Sequence, residues 1–183
     1  DYRLVVMLIE ASKCLLRAIE PVDVELMYCW ENDTELWRVS GTTAPLSRER
    51  LMRFVEEQSY DIYATRQMRL IIESRDVDMA GVAVGAVDIF DFDPQHLRFG
   101  IGILVYAPEM RRQGYARAAV EAVLRYGREV LGVVQVWASV SEDNLPSIAL
   151  FEGCGFQRAG VRRRWLRTAD GYKDQIEYQY IFE

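Results

Sequence analysis

Between Arg111 and Arg117 the chain reads Arg111-Arg112-Gln113-Gly114-Tyr115-Ala116-Arg117. The small residues Gly114 and Ala116 let a ligand come close to the backbone. Phe99, Ile101, Ile103 and Val105 alternate just upstream, so the stretch leaves a strand. Ala116, Ala119, Val120, Val123, Leu124, Gly127, Val130 and Leu131 follow at three-and-four spacing, so it opens a helix. The free N–H groups of a first helical turn and the helix dipole both favour an anion there. Phosphate is the ligand this chemistry suits. The plainer reading is a strand-to-helix corner that needs a glycine.

Three side chains are candidate proton acceptors. Glu31 belongs to an acidic stretch, Glu31, Asn32, Asp33 and Glu35, between Trp30 and Trp37. That stretch reads as a solvated loop with aromatic anchors, or as a rim attracting a polyamine. Asp88 sits in an apolar strand pattern. Facing a cleft, it would become a more useful base through burial, and facing outward it would be an ordinary surface carboxylate. His96 is the chain's one histidine, and its type titrates in the right range. Beside Pro94 and Arg98 it also reads as the lock of a turn. Arg162, Arg163 and Arg164 form a charge run that is either solvated or reaches phosphate.

These groups need positioning elements. Strands are expected at 14–19, 67–73, 81–90, 98–106, 133–140, 159–166 and 172–182. Helices are expected from Pro21 to Cys29 or Trp30, from Ser47, from Tyr115 to Leu131 and from Asn144 to before Gly155. Asp91 to His96 reads as a turn, and Asp170-Gly171 as a hairpin. Strand, helix and strand from 98 to 140 form a crossover unit, so those two strands lie parallel.

The chain has 183 residues, half of them hydrophobic and 27% charged, which suits one domain over 1–183 with a core of about 15–182. A formal net charge of −6 argues against nucleic acid and permits a cationic substrate. No apolar run is long enough for a bilayer, and Leu4 to Ile9 is too short for a leader. Cys14, Cys29 and Cys154 lack metal or disulfide spacing, which suits reduced thiols in a cytoplasm and no metal.

Downstream of the glycine corner lies Asn144-x-x-Ser147-x-x-x-Phe151-Glu152-x-x-Gly155-Phe156. The two motifs at this spacing, with the order β-α-α-β-β-β-α-β-α-β-β, resemble the GCN5-related N-acetyltransferases from about Leu15 to Phe182. Within that superfamily the chain is most similar to bacterial spermidine/diamine and ribosomal-protein N-acetyltransferases. The residues that carry this are Leu16-Arg17-Ala18 with Asp23, the acidic stretch after Trp30, Asp93-x-x-His96-x-Arg98 and Asp170-Gly171-Tyr172.

The resemblance implies an α/β (α+β) fold. Its central sheet is mixed and mostly antiparallel, with helices on both faces and a splayed parallel strand pair at the cofactor site. It implies acetyl-CoA as cosubstrate. The backbone of Leu104, Val105 and Tyr106 would meet the acyl and pantetheine part. Arg111, Arg112, Gln113, Gly114, Tyr115, Ala116 and Arg117 would wrap the pyrophosphate. Asn144, with Ser147 in the same motif, would hold the pantetheine arm, and Phe151 to Gly153 would line the thioester. The base would come from Glu31, Asp88 or His96.

One departure stands out. Phe151 occupies the position where the family commonly has a tyrosine that protonates the leaving thiolate, and phenylalanine has no proton to give. Tyr106, Ser147 and Cys154 are the alternative donors. The expected function is acetyl transfer to a primary amine, with a polyamine as the leading acceptor class. The rivals are a protein or peptide N-terminus, and a CoA-binding sensor without catalysis. The expected partners are a small amine or a peptide amine, with neither nucleic acid nor membrane, and a homo-oligomer is allowed.

Overall fold

The computed structural model describes residues 10–58 and 61–183. The apolar run at 4–9 lies outside them. The described residues form a seven-stranded sheet in the order β1-β2-β3-β4-β5-β7-β6. Its strands are β1 (Cys14–Ala18), β2 (Met68–Ser74), β3 (Ala83–Asp93), β4 (Arg98–Val105), β5 (Gln135–Ser141), β6 (Gln157–Thr168) and β7 (Gly171–Ile181). β1 to β4 form an antiparallel meander, β4 and β5 are parallel, and β5-β7-β6 is antiparallel again.

Six α-helices accompany the sheet among the described residues. They are α1 (Val24–Glu31), α2 (Thr34–Ser40), α3 (Arg48–Glu57), α4 (Ile62–Thr65), α5 (Tyr115–Glu129) and α6 (Leu145–Gly153). Ser47 caps α3 by accepting from Arg50 N–H at 3.1 Å, and Asn144 caps α6.

Two features depart from the sequence expectation. The acidic stretch is not a loop: the Asp33 side chain accepts from Glu35 N–H at 3.0 Å and starts α2. The cap satisfies an orphan amide, and the acidic first turn suits the helix dipole. β3 also runs three residues past Phe90, because Asp91 takes φ 49° and the register shifts there, letting Phe92 bury.

Alternation divides the sheet into two faces. On one face Ile71 and Ala86 pack with Val24, Met27 and Trp30 of α1 and with Leu51 and Val55 of α3. On the other, Leu70, Ile72, Val87, Ile89, Phe99 and Ile101 pack with Ala119, Val120 and Val123 of α5. Each fully buried Val or Ile there contributes about 1.5–3 kcal/mol. Past β4, the α5 face stays closed over Val136, Ala138, Val140, Ile176 and Tyr178. On the opposite face the alternate residues Trp137, Ser139, Glu177 and Gln179 are only half-buried or exposed.

Candidate active site at the strand splay

β4 and β5 share a ladder only from Arg98–Gln135 to Gly100–Trp137. Beyond Gly100 they separate, leaving backbone groups of β4 without a strand on that side. Unpaired strand backbone is what an extended amide-bearing ligand can use. The Phe90 and Trp137 rings meet edge to face at 5.1 Å where the ladder stops.

At the far end of β4 the chain turns through Arg112 (φ 61°) and Gly114 (φ 92°) into α5. Gly114 suits this turn because only glycine takes that φ cheaply. The first helical bond is Ala118 N–H to Gly114 C=O at 3.0 Å, so the amides of Tyr115, Ala116 and Arg117 lie free at the helix start. A Cβ on Gly114 would have Lys13 Cε at 3.9 Å as its nearest neighbour, so the space above is open.

The side chains of this stretch do less than its backbone. Arg111 folds back, donating to Val105 C=O at 3.1 Å and Tyr106 C=O at 2.9 Å. It thereby fixes the end of β4. Gln113 donates to Glu109 C=O, and Arg117 pairs with Glu121 along α5. Tyr115 is buried, and its hydroxyl bonds Ser74 and Asp76. That side chain belongs to the core, leaving only its backbone N–H for a ligand. Arg112 is exposed. Asn144 Oδ1 accepts from Ser147 N–H at 3.3 Å, so the pair is first a helix cap. Phe151 is 4% exposed, with ring centroids 5.1 Å from Phe156 and 6.5 Å from Tyr178.

Two of the three candidate bases come together. Arg69 of β2 donates to Glu31 at 2.6 Å, and with two nitrogens to Asp88 at 2.7 and 2.8 Å. Burial by itself would weaken the Arg69 charge, yet Asp88 and Glu31 raise its pKa above the ordinary arginine range. Asp88 keeps a side-chain exposure of 37% and looks onto the less covered face of the sheet. Register puts it beside Gly102.

His96 is elsewhere. It lies before the start of β4, with Nδ1 2.9 Å from Asp93 Oδ2. Six strand steps, about 20 Å, separate Arg98 at that end from Leu104. The backbone and side chain of His96 together hold Asp93 at a pKa of about 2.

Tyr106 follows β4 and lies beside α1, with its ring 5.9 Å from that of Trp30. Partial burial and the nearby Asp33 and Cys29 raise its pKa, so it keeps its proton at neutral pH. The buried Trp30 indole N–H has no partner among the described residues. Cys154 keeps its proton too, raised by burial and by Glu121, but it caps the end of α6.

Arg69 is the site residue that sequence reading missed. It is an alternate residue in the strand Met68, Leu70, Ile72, and only strand register reveals its partner.

A family model described as an acetyltransferase (GNAT) domain matches residues 13–157. The chain belongs to the GNAT acetyltransferases. It is 30% identical over 161 residues to the SPbeta prophage-derived uncharacterized N-acetyltransferase YokL of Bacillus subtilis, covering 88% of this chain and 85% of the relative. It is 29% identical over 160 residues to the uncharacterized N-acetyltransferase YoaA of the same organism, covering 87% and 88%. Among solved structures, a spermidine N-acetyltransferase from Vibrio cholerae, in complex with CoA and spermine, superposes with a TM-score of 0.81. At 20% identity, over 93% of this chain and 96% of that one, the likeness is one of fold. The GNAT chain described here is therefore an acetyltransferase with acetyl-CoA as cosubstrate. No helix among the described residues is long and apolar enough to cross a membrane.

Proposed function

We propose that this GNAT enzyme transfers the acetyl group of acetyl-CoA to a primary amine, with a polyamine as acceptor. The observation that carries the reading is the splay itself. It has an amide cradle at one end and carboxylates fixed by Arg69 on the open face. Acetyl-CoA supplies an acyl group already activated as a thioester.

The free amides of Gly114 to Arg117 suit the pyrophosphate, with Arg111 stiffening the turn that presents them. Arg112 and Gln113 line the same turn. The β4 backbone short of Tyr106, whose own N–H is held by Val84 C=O and whose C=O is held by Arg111, suits the pantetheine arm, and Asn144 with Ser147 stands at the opposite lip. The unpartnered Trp30 N–H is a donor left for a carbonyl oxygen.

A protonated amine cannot attack, and its free pKa is about 10. Asp88, oriented by Arg69 and open to solvent, accepts the proton directly or through water. Glu31 holds Arg69 from the other side. The two-nitrogen fork from Arg69 fixes the direction of the Asp88 carboxylate next to a cationic ligand. With Phe151 buried and without a proton, Tyr106 is the donor to the departing thiolate.

The test is release of free CoA across spermidine, spermine, diamines, amino acids and short peptides, with thermal shift by acetyl-CoA in parallel. A ligand that binds only the folded state raises its stability. Turnover concentrated on polyamines is the expected result. Turnover on peptides alone would transfer the reading to a protein N-terminus. Stabilisation by acetyl-CoA without turnover of any amine would leave a sensor.

A further inference from the structure

Gly102 is a glycine that the fold does not require. It stands inside β4, where glycine weakens a strand and marks a place another group approaches closely. Its neighbours on the sheet have reasons to be glycine. A Cβ on Gly85 would sit 1.9 Å from the Leu104 carbonyl oxygen, and one on Gly100 would sit 2.5 Å from the Phe90 ring. A Cβ on Gly102 would meet only Phe90, at an ordinary 3.6 Å, and Gly102 has no positive φ.

The register shows what surrounds that bare position. Arg69 pairs with Asp88, and Asp88 with Gly102. The parallel ladder ends at Gly100–Trp137, two residues earlier on each strand, so Ser139 stands across the splay from Gly102. Ser139 in turn pairs with Glu177. All of these lie on the face away from α5. They make a groove with Gly102 as its floor, Arg69 and Asp88 as one wall, and Ser139 and Glu177 as the other. The Phe90–Trp137 ring pair closes it at the end where the ladder stops.

Glu177 is held rigidly. Its carboxylate accepts from Ser139 Oγ at 2.6 Å and from Gln175 Nε2 at 2.7 Å, and it pairs with Arg162 at 3.1 Å. It lies three strands away from Asp88, more than about 15 Å between backbones because β4 and β5 have parted at this level.

We propose that Gly102 is the floor of the acceptor site, and that Glu177 is the residue that selects an acceptor carrying a second positive charge. The reacting nitrogen sits over Gly102 beside Asp88, the methylenes lie on the Trp137 indole, and the distal ammonium faces Glu177. This deepens the polyamine reading and rests on it. An amine with an uncharged tail gains nothing from Glu177.

The experiment compares 1,4-diaminobutane with n-pentylamine, which has the same length and no second charge, in the wild type, Glu177→Gln, Arg162→Gln and Gly102→Ala. The wild type prefers the diamine. Glu177→Gln loses about tenfold of that preference, mostly in the amine KM, with the acetyl-CoA KM unchanged. Arg162→Gln frees the carboxylate and keeps or increases the preference. Gly102→Ala lowers kcat/KM for both amines without lowering Tm.

A Glu177→Gln enzyme with the wild-type ratio overturns the role of Glu177. Equal losses in Glu177→Gln and Arg162→Gln would make that role structural and overturn it too. Unchanged amine kinetics in Gly102→Ala overturn the floor. A wild type without preference for the diamine, or without amine turnover, overturns the polyamine reading itself, which is a separate failure.

Discussion

The same cluster of side chains occurs twice on the sheet. Arg17 donates to both oxygens of Asp23, at 2.8 and 2.9 Å, and to Glu73 at 2.6 Å. Arg69 does the same with Asp88 and Glu31. In each, one arginine grips an aspartate in a fork and a glutamate with a single bond, the geometry guanidinium favours. The difference is what lies above them. The Asp23 side chain is 5% exposed and also accepts from Glu20 N–H, closing the turn into α1. The Asp88 side chain is more than a third exposed and borders an uncovered glycine. One cluster locks a helix onto a strand, and the other holds a charge where a substrate can reach it. Identity of residues does not separate scaffold from site here, whereas access does.

The largest contrast is expected between the two aspartates. Asp88→Asn should cut kcat/KM per folded molecule by about 10² to 10⁴, the worth of a proton acceptor. Asp23→Asn should instead cost about 2 kcal/mol of stability, since it weakens the charge-assisted fork from Arg17 onto a side chain only 5% exposed. Turnover per folded molecule should be untouched. Similar losses of activity in both would erase the distinction.

Next comes Tyr106→Phe, beside the open cluster. It should lower kcat about 100-fold. A proton donor whose pKa is raised above 10 serves until the pH rises through that value, so the alkaline limb of the wild-type profile lies above pH 10 and disappears in the variant. An unchanged kcat would pass the donor role to Cys154 or Ser147.

Arg69→Met removes the guanidinium that orients Asp88 and Glu31. kcat/KM should fall by about tenfold as the carboxylate loses its fixed direction, and Arg17→Met should leave turnover per folded molecule in place. The smallest effect belongs to Arg117→Gln. Its pair with Glu121 is exposed on α5, so the denaturant midpoint should stay in place and acetyl-CoA affinity should change by less than about threefold.

Most of the scaffold is legible in the sequence because alternation and helical spacing are local. β4 and α5 declare themselves that way, and so does the anion cradle between them. What stays hidden depends on strand register or side-chain direction. Arg69 and Asp88 are 19 residues apart and become partners only once β2 and β3 are aligned. Gly102 is one glycine among 12 until its neighbours across two strands are known. Tyr115 falls within the glycine motif, yet its ring turns into the core. α2 was hidden for another reason: its cap, Asp33, reads equally well as part of a charged loop. The chemistry of the corner is a property of backbone amides, which spacing does report. The acceptor side is made by residues from several strands, which spacing does not.

The short ladder between β4 and β5 has a mechanical consequence. The meander β1–β4 and the unit β5-β7-β6 are each laced along most of their length, but their backbones join over three residues of strand, and otherwise only the core under α5 spans both. Such a joint is where a sheet opens first on the way to unfolding. In amide hydrogen exchange, the two halves should protect separately, with the earliest exchange along the seam. A thioester ligand lying in the gap acts as a missing strand, so loading the enzyme would knit two cooperative blocks into one.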